Sequence, residues 1–206
     1  HLNISYAHAG SIDPDGRTET RVEVDGRTTD VRTDTVRENN AYNSFSRFNV
    51  KEDHTTNLHL PGSAKNLLNL VHDEPTHIRG ILNSYKNGRI GGNVFFLNPY
   101  GIVVGESGTL NVGSLTAITP TPEFMDDLID PSGQVSRQGT QQVLAGSVPL
   151  TESGLVRVEG TVNAAKAVSA RGGKIEVPTS GRINAGPRGR AQFDALVNTE
   201  GLEDVD

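Results

Sequence analysis

Hydrophobic residues in this chain fall in short runs, and many alternate with polar residues at a period of two. Residues 17–36, "RTETRVEVDGRTTDVRTDTV", set Val against Thr, Glu, Arg and Asp on both sides of Asp25-Gly26. Asp-Gly between alternating runs predicts a two-residue β-hairpin, because both turn positions take positive φ. One face of such a hairpin is apolar and the other wet, so near the N-terminus it is expected to act as a lid and not as core. Residues 95–113, "FFLNPYGIVVGESGTLNVG", hold the most hydrophobic segment. Val94 to Leu97 and Ile102 to Val104 flank an Asn-Pro-Tyr-Gly break, and Leu110-Asn111-Val112 follows a second break at Gly105 to Gly108. The pattern predicts strand, turn, strand, turn, strand.

From about residue 45 the pattern repeats. "NGRIGG" at 87, "SGTLNVG" at 107, "EGTVNA" at 159 and "SGRINAG" at 180 share a polar residue, Gly, a variable residue, an aliphatic residue and mostly Asn; "RGILNS" at 79 and "SGQVSR" at 132 are weaker copies. Gly88, Gly108, Gly160 and Gly181 are 20, 52 and 21 positions apart. About twenty residues make one turn of three short strands separated by bends, and the next turn stacks ~4.8 Å above it in parallel. Leu110, Val162 and Ile183 then point inward, as do Val156, Val158, Ile175 and Val177 one strand earlier in their turns, while Asn111, Asn163 and Asn184 share a position that can form a hydrogen-bonded ladder. The interval of 52 predicts an insertion at about 119–150. Within it "TPTPEFMDDLID" offers Thr121 as helix N-cap, Pro122 at the first helical position and Pro131 as a stop, with Phe124, Leu128 and Ile129 facing the solenoid wall. "NLLNLVHDE" at 66 fits helix or strand by periodicity.

The 206 residues suffice for one large all-β domain. A net charge of -6 with Lys and Arg dispersed opposes nucleic-acid binding, which needs a basic patch. No cysteine is present, which suits a chain kept uncrosslinked while it crosses a membrane, and no apolar stretch reaches the ~20 residues of a spanning helix. The chain begins at His1 without Met, as expected of a processed precursor or a trimmed domain.

Chemistry-bearing motifs are scarce. His54 and His59, like His72 and His77, are five apart, a poor spacing for shared metal ligation on strand or helix. Asp126, Asp127 and Asp130 fit solvated charges near a helix N-terminus. Asp13-Pro14-Asp15-Gly16 lacks the remaining ligands of a calcium loop, and "RGGKI" at 171 lacks the spacing of a phosphate loop. With no nucleophile elbow and no cysteine, no catalytic residue, cofactor or metal is expected, nor a bound small molecule. A carbohydrate-active solenoid enzyme would need a groove of clustered Asp, Arg or Lys, which is not legible. A repeat module of some other surface protein is the further alternative.

Two stretches carry a resemblance. "NSFSRFNV", Asn43 to Val50, resembles the Asn-x-Phe-x-x-Phe-x-Val segment of two-partner secretion domains, and "NPYGI", Asn98 to Ile102, is similar to that family's Asn-Pro-Asn-Gly turn. These are the N-terminal domains of filamentous haemagglutinin-like exoproteins of Gram-negative bacteria. Tyr100 stands where the family usually has Asn, and the family's second tetrapeptide, Asn-Pro-Asn-Leu, is absent. The resemblance implies a right-handed parallel β-helix with an N-terminal β cap (1–44), rungs over 45–206 and extra-helical hairpin and short-helix insertions, all one domain. It implies recognition by the POTRA domains of a cognate outer-membrane β-barrel transporter, secretion through the periplasm to the cell surface, and stacking of downstream passenger repeats, with adhesion as the passenger's role. Asn43, Phe45, Phe48, Asn49, Asn98, Pro99, Tyr100 and Gly101 are the recognition and folding motif it implies. Phe45 and Phe48 are three apart, so a regular strand would turn them to opposite faces.

Overall fold

The computed structural model describes residues 11–186 and the backbone of 190–193 and 196–198. Among these residues the chain forms three parallel ladders that wind as six turns of a β-helix. The first ladder stacks β3 (Thr28–Thr33), β6 (Thr55–His59), β9 (Ile81–Lys86), the first halves of β13 (Thr109–Ile118) and β15 (Thr161–Arg171), and β17 (Arg182–Asn184). The second stacks β5 (Asn40–Val50), β7 (Asn66–Val71), β11 (Asn93–Leu97), the second halves of β13 and β15, and β18 (Arg190–Phe193). The third runs from the end of β5 through β8 (Thr76–Ile78), β12 (Ile102–Val104), β14 (Leu155–Val158), β16 (Lys174–Glu176) and β19 (Leu196–Asn198).

The repeat follows from close packing at one corner. Just before the last four strands of the first ladder, a Cβ on Gly80, Gly108, Gly160 or Gly181 would lie 2.2 or 2.3 Å from a carbonyl oxygen of the turn below. Only glycine fits there. The weaker copy at 79 is therefore the true rung motif, and "NGRIGG" is not one: Asn87-Gly88 is the turn of a hairpin in which β10 (Arg89–Ile90) folds back antiparallel on β9. "SGQVSR" is no rung either, because Gly133 lies in a turn closed by its N–H donating to the Asp130 carbonyl. Turn length changes accordingly. The ladder of Asp30, Asn57, Asn83, Asn111, Asn163 and Asn184 steps by 27, 26, 28, 52 and 21 residues. Each Asn amide donates to the side-chain oxygen below at 2.8–3.2 Å. The expected ladder is present, and longer than expected. A second one, Asn40, Asn66, Asn93 and Ser114, runs up the start of the second ladder at 2.8–2.9 Å.

The inward residues of all three ladders form one continuous core that includes Leu58, Leu82, Leu110, Val162 and Ile183. Residues 66–71 are strand, buried on both faces except at Asn66. The outward side chains Tyr42, Leu68, Leu70, Phe95, Leu97 and Ile118 make a second core beneath the insertion. There α1 (Pro122–Leu128) starts at Thr121, whose side chain accepts from the Phe124 N–H, and Phe124, Met125, Leu128 and Ile129 are buried against the coil. A second helix, α2 (Arg137–Ala145), completes the cover, and the Tyr42 and Thr140 hydroxyls meet at 2.8 Å.

The N-terminal end of the coil is closed by antiparallel strands: β1 (Ile12–Pro14) and β4 (Val36–Arg37) on β5, and β2 (Thr20–Asp25) on β3. The hairpin is thus half lid and half coil, since Val31 of β3 is fully buried in the core. Parallel pairing in the second ladder starts at Asn40, so a boundary drawn at residue 45 falls inside β5.

Candidate functional site

The two resemblance motifs lie on one corner of the coil, where the second ladder bends into the third. Ser46-Arg47 form that corner in the first turn, His72 to Pro75 in the second, and Asn98 to Gly101 in the third. The corners are stitched vertically. His72 and Asp73 N–H groups donate to the carbonyls of Phe45 and Ser46 at 3.0 Å, and the Thr76 N–H donates to Gly101 at 3.0 Å.

Asn98 is the hub. It is fully buried. Its Nδ2 donates to the Glu74 carbonyl at 2.7 Å and to Thr76 Oγ1 at 3.0 Å, while its Oδ1 accepts from the Tyr100 N–H at 2.9 Å. The last contact is the side-chain-mimicked turn for which Asn suits this place. The Gly101 N–H closes the β-turn on the Asn98 carbonyl at 3.3 Å. Gly101 has φ +124, and a Cβ there would stand 3.0 Å from the Leu155 carbonyl oxygen, so glycine is required twice over. Pro99 is buried, whereas Tyr100 is 50% exposed. The position that departs from the family pattern therefore has least contact with the fold.

Phe45 and Phe48 do not face opposite ways. Both are fully buried in the same core, with ring centroids 5.0 Å apart edge to face, and Phe48 meets Phe96 of the third turn at 5.1 Å. The cause is a bulge. Strand β1 pairs Asp13 with Arg47 and Pro14 with Phe45, leaving Ser46 as an extra residue in β5. An extra residue flips the alternation. Asn43 is also fully buried, accepting from the Thr20 hydroxyl at 2.7 Å and donating to Asn69 at 3.1 Å. Half-buried Asn49 accepts from the His77 N–H at 2.9 Å.

Residues that the motifs do not contain hold this corner too. Arg47 pairs with Asp13 at 3.3 Å and Glu74 at 3.2 Å. Nearby, Arg17 donates to Asp126 at 2.9 Å and to the Ile129 carbonyl at 2.8 Å, Ser44 donates to Asp15 at 2.7 Å, and His72 Nε2 lies 3.2 Å from the Ser44 hydroxyl. Cap, first two turns and insertion meet in this cluster. Burial pushes the His72 pKa down and Arg17 adds to it, outweighing Asp15, Asp126 and Asp73. No sequence signal marks these residues, because their partners come from distant segments. Asp130 is not part of a helix: its carboxylate accepts from the Ser132 hydroxyl and the N–H groups of Ser132 and Gln134, which hold its pKa low. Among the described residues no three His, Asp or Glu side chains converge on a metal position.

Comparison with known proteins accords with this architecture. The crystal structure of the filamentous hemagglutinin secretion domain superposes with a TM-score of 0.62 at 20% identity, covering 90% of this chain and 63% of that one. The HMW1 secretion domain from Haemophilus influenzae gives a TM-score of 0.49 at 16% identity, covering 92% of this chain and 57% of that one. This chain thus spans less than two thirds of either solved chain, and at such identity the first likeness speaks for the fold alone. No curated protein sequence matches the chain. A family model described as the TPS secretion domain matches residues 10–204. The chain belongs to the TPS secretion domain family.

Proposed function

We propose that this domain addresses a large Gram-negative exoprotein to its cognate outer-membrane β-barrel, whose periplasmic POTRA domains read it, and then forms the first turns on which the passenger stacks at the cell surface. The passenger's own role is adhesion, and the domain performs no catalysis. Family membership supports the secretion role. The seeding role is supported by the stacking itself: each turn pairs in parallel, strand on strand, with the turn before it. In such a stack the strands of one turn are the template for those of the next.

The observation that carries the recognition step is burial. Phe45, Phe48, Asn43 and Asn98 are fully buried in the fold and Pro99 and Gly101 are buried as well. Such residues are available to a transporter only before the coil closes. Parallel pairing across 21 to 52 residues is slow, because loop closure precedes any contact gain. The unfolded chain therefore persists long enough to be read, and extended segments can add to an exposed sheet edge of the partner. Titrating the transporter's periplasmic domains against native domain and a destabilised Phe48→Ala variant tests this. Tighter binding by the destabilised chain is expected; equal or tighter binding by the native domain refutes recognition before folding. Secretion of a reporter fused to the domain, undiminished when the barrel is deleted, would refute the addressing role itself.

A further inference from the structure

The corner cluster and the stacked ladders belong to the proposed secretion role. A separate feature sits where the cap meets the insertion. A crevice of about 360 Å³ opens between the β4–β5 turn and α2. Its apolar floor is Tyr42, Val135 and Leu144, and its rim carries Arg37 and Arg137 with Glu38 as the one acidic residue of the lining. That volume lies within the range of small-molecule pockets, and an apolar floor with a few convergent polar groups is their usual composition. The rim is net cationic in a chain of net charge -6.

Glu38 is the unusual residue. It occupies a two-residue hairpin turn at φ +58, where Gly, Asn or Asp sit at least cost. Its carboxylate meets Arg137 at 3.0 Å, yet the two side chains are 59% and 77% exposed. An exposed pair of this kind contributes little to stability, so it does not account for a glutamate in that conformation. Leu144, at 42% exposure, is one of few large apolar side chains left open on the described surface. Arg37 has no carboxylate partner among the described residues; it donates to the Val36 carbonyl at 3.0 Å.

We infer that the crevice is a binding site for a small organic carboxylate with an apolar body, and that Glu38 is its internal stand-in. The ligand carboxylate displaces Glu38 from Arg137 and lies between the two guanidiniums, which bind carboxylates through paired N–H donors. The apolar body rests on Tyr42, Val135 and Leu144, and the Gln141 amide borders the mouth. This inference is independent of the secretion role.

The test uses phenylacetate as probe and phenylacetamide as its uncharged counterpart, titrated into the full chain by NMR with chemical shifts of α2 and the Glu38 turn as readout. Saturable shifts confined to those segments are expected with phenylacetate, and binding weaker by about tenfold with the amide. Arg137→Gln is expected to weaken phenylacetate by about tenfold. Glu38→Gln, which removes the competing carboxylate while keeping the side chain's shape, is expected to tighten it. Leu144→Ser, at a surface position, weakens it with the fold intact by circular dichroism. Equal binding of acid and amide, no saturation, or unchanged affinity in Glu38→Gln would each overturn the assignment.

Discussion

At the scale of single residues, the Asn98 corner shows how one short polar side chain can decide a bend. Its amide satisfies a carbonyl and a hydroxyl of the turn below and an N–H of its own turn. Replacing it by Ala leaves buried polar groups without partners, at about 1–3 kcal/mol for each group that water cannot reach. Asn98→Ala is expected to lower unfolding free energy by at least about 2 kcal/mol, whereas Tyr100→Ala, half exposed, should change it by less than about 0.5 kcal/mol. Urea denaturation of the two variants checks this, and equal losses would mean that Tyr100 carries the turn. The same corner shows why residue spacing misjudges Phe45 and Phe48. Alternation holds only while the strand is regular, and one extra residue at Ser46 puts both rings in one core.

Among elements, the insertion and the cap are joined to the coil through the cluster around His72. Burial holds the folded-state pKa of this imidazole below its ordinary value of about 6.5. His77 is shifted down as well, by burial and then Arg79. Between the folded and unfolded values the unfolded chain binds more protons, so stability is greatest above about pH 6.5 and falls as pH drops through the folded-state values. Thermal melts at pH 7.5 and 5 should show a lower midpoint at the acidic pH. His72→Gln should reduce the drop without abolishing it, because His77 still titrates; an unchanged drop would remove His72 from the linkage. The elements also separate what periodicity reveals from what it leaves open. Thr121-Pro122 signals α1 locally. Helix α2 has a signal of its own, Ser136 accepting from the Gly139 N–H and Gly146 at φ +74 closing the helix, but its polar sequence contributes few buried residues and no strong apolar stripe.

Over the whole molecule, each turn contacts the turns above and below, so stability is nearly a sum of turn and interface contributions. A defect in the last described turn should therefore stay local, and one in the middle should not. Leu82→Ala, at a fully buried site in the third turn, is expected to cost about 2–5 kcal/mol and to lower amide protection throughout. Ile183→Ala, in the last turn, should reduce protection in β15 to β17 while the Asn98 corner keeps its slow exchange. Uniform loss in both variants would show that the coil unfolds as a single unit. Of this architecture, the sequence by itself determined the coil. A repeating Gly before an aliphatic residue and Asn is dictated by close packing against the turn below and by side chains that must meet their copies one turn away. It also located the Asn98 turn and the insertion, whose signals are contained in a few neighbouring residues. Only the tertiary structure decided which glycines mark turns, since Gly80 and Gly88 differ in whether a carbonyl from another turn lies over the Cα. It alone decided the inward pair of phenylalanines, the second core under the helices and the charged cluster at the corner. Each of these depends on distant segments whose approach no spacing within the chain records.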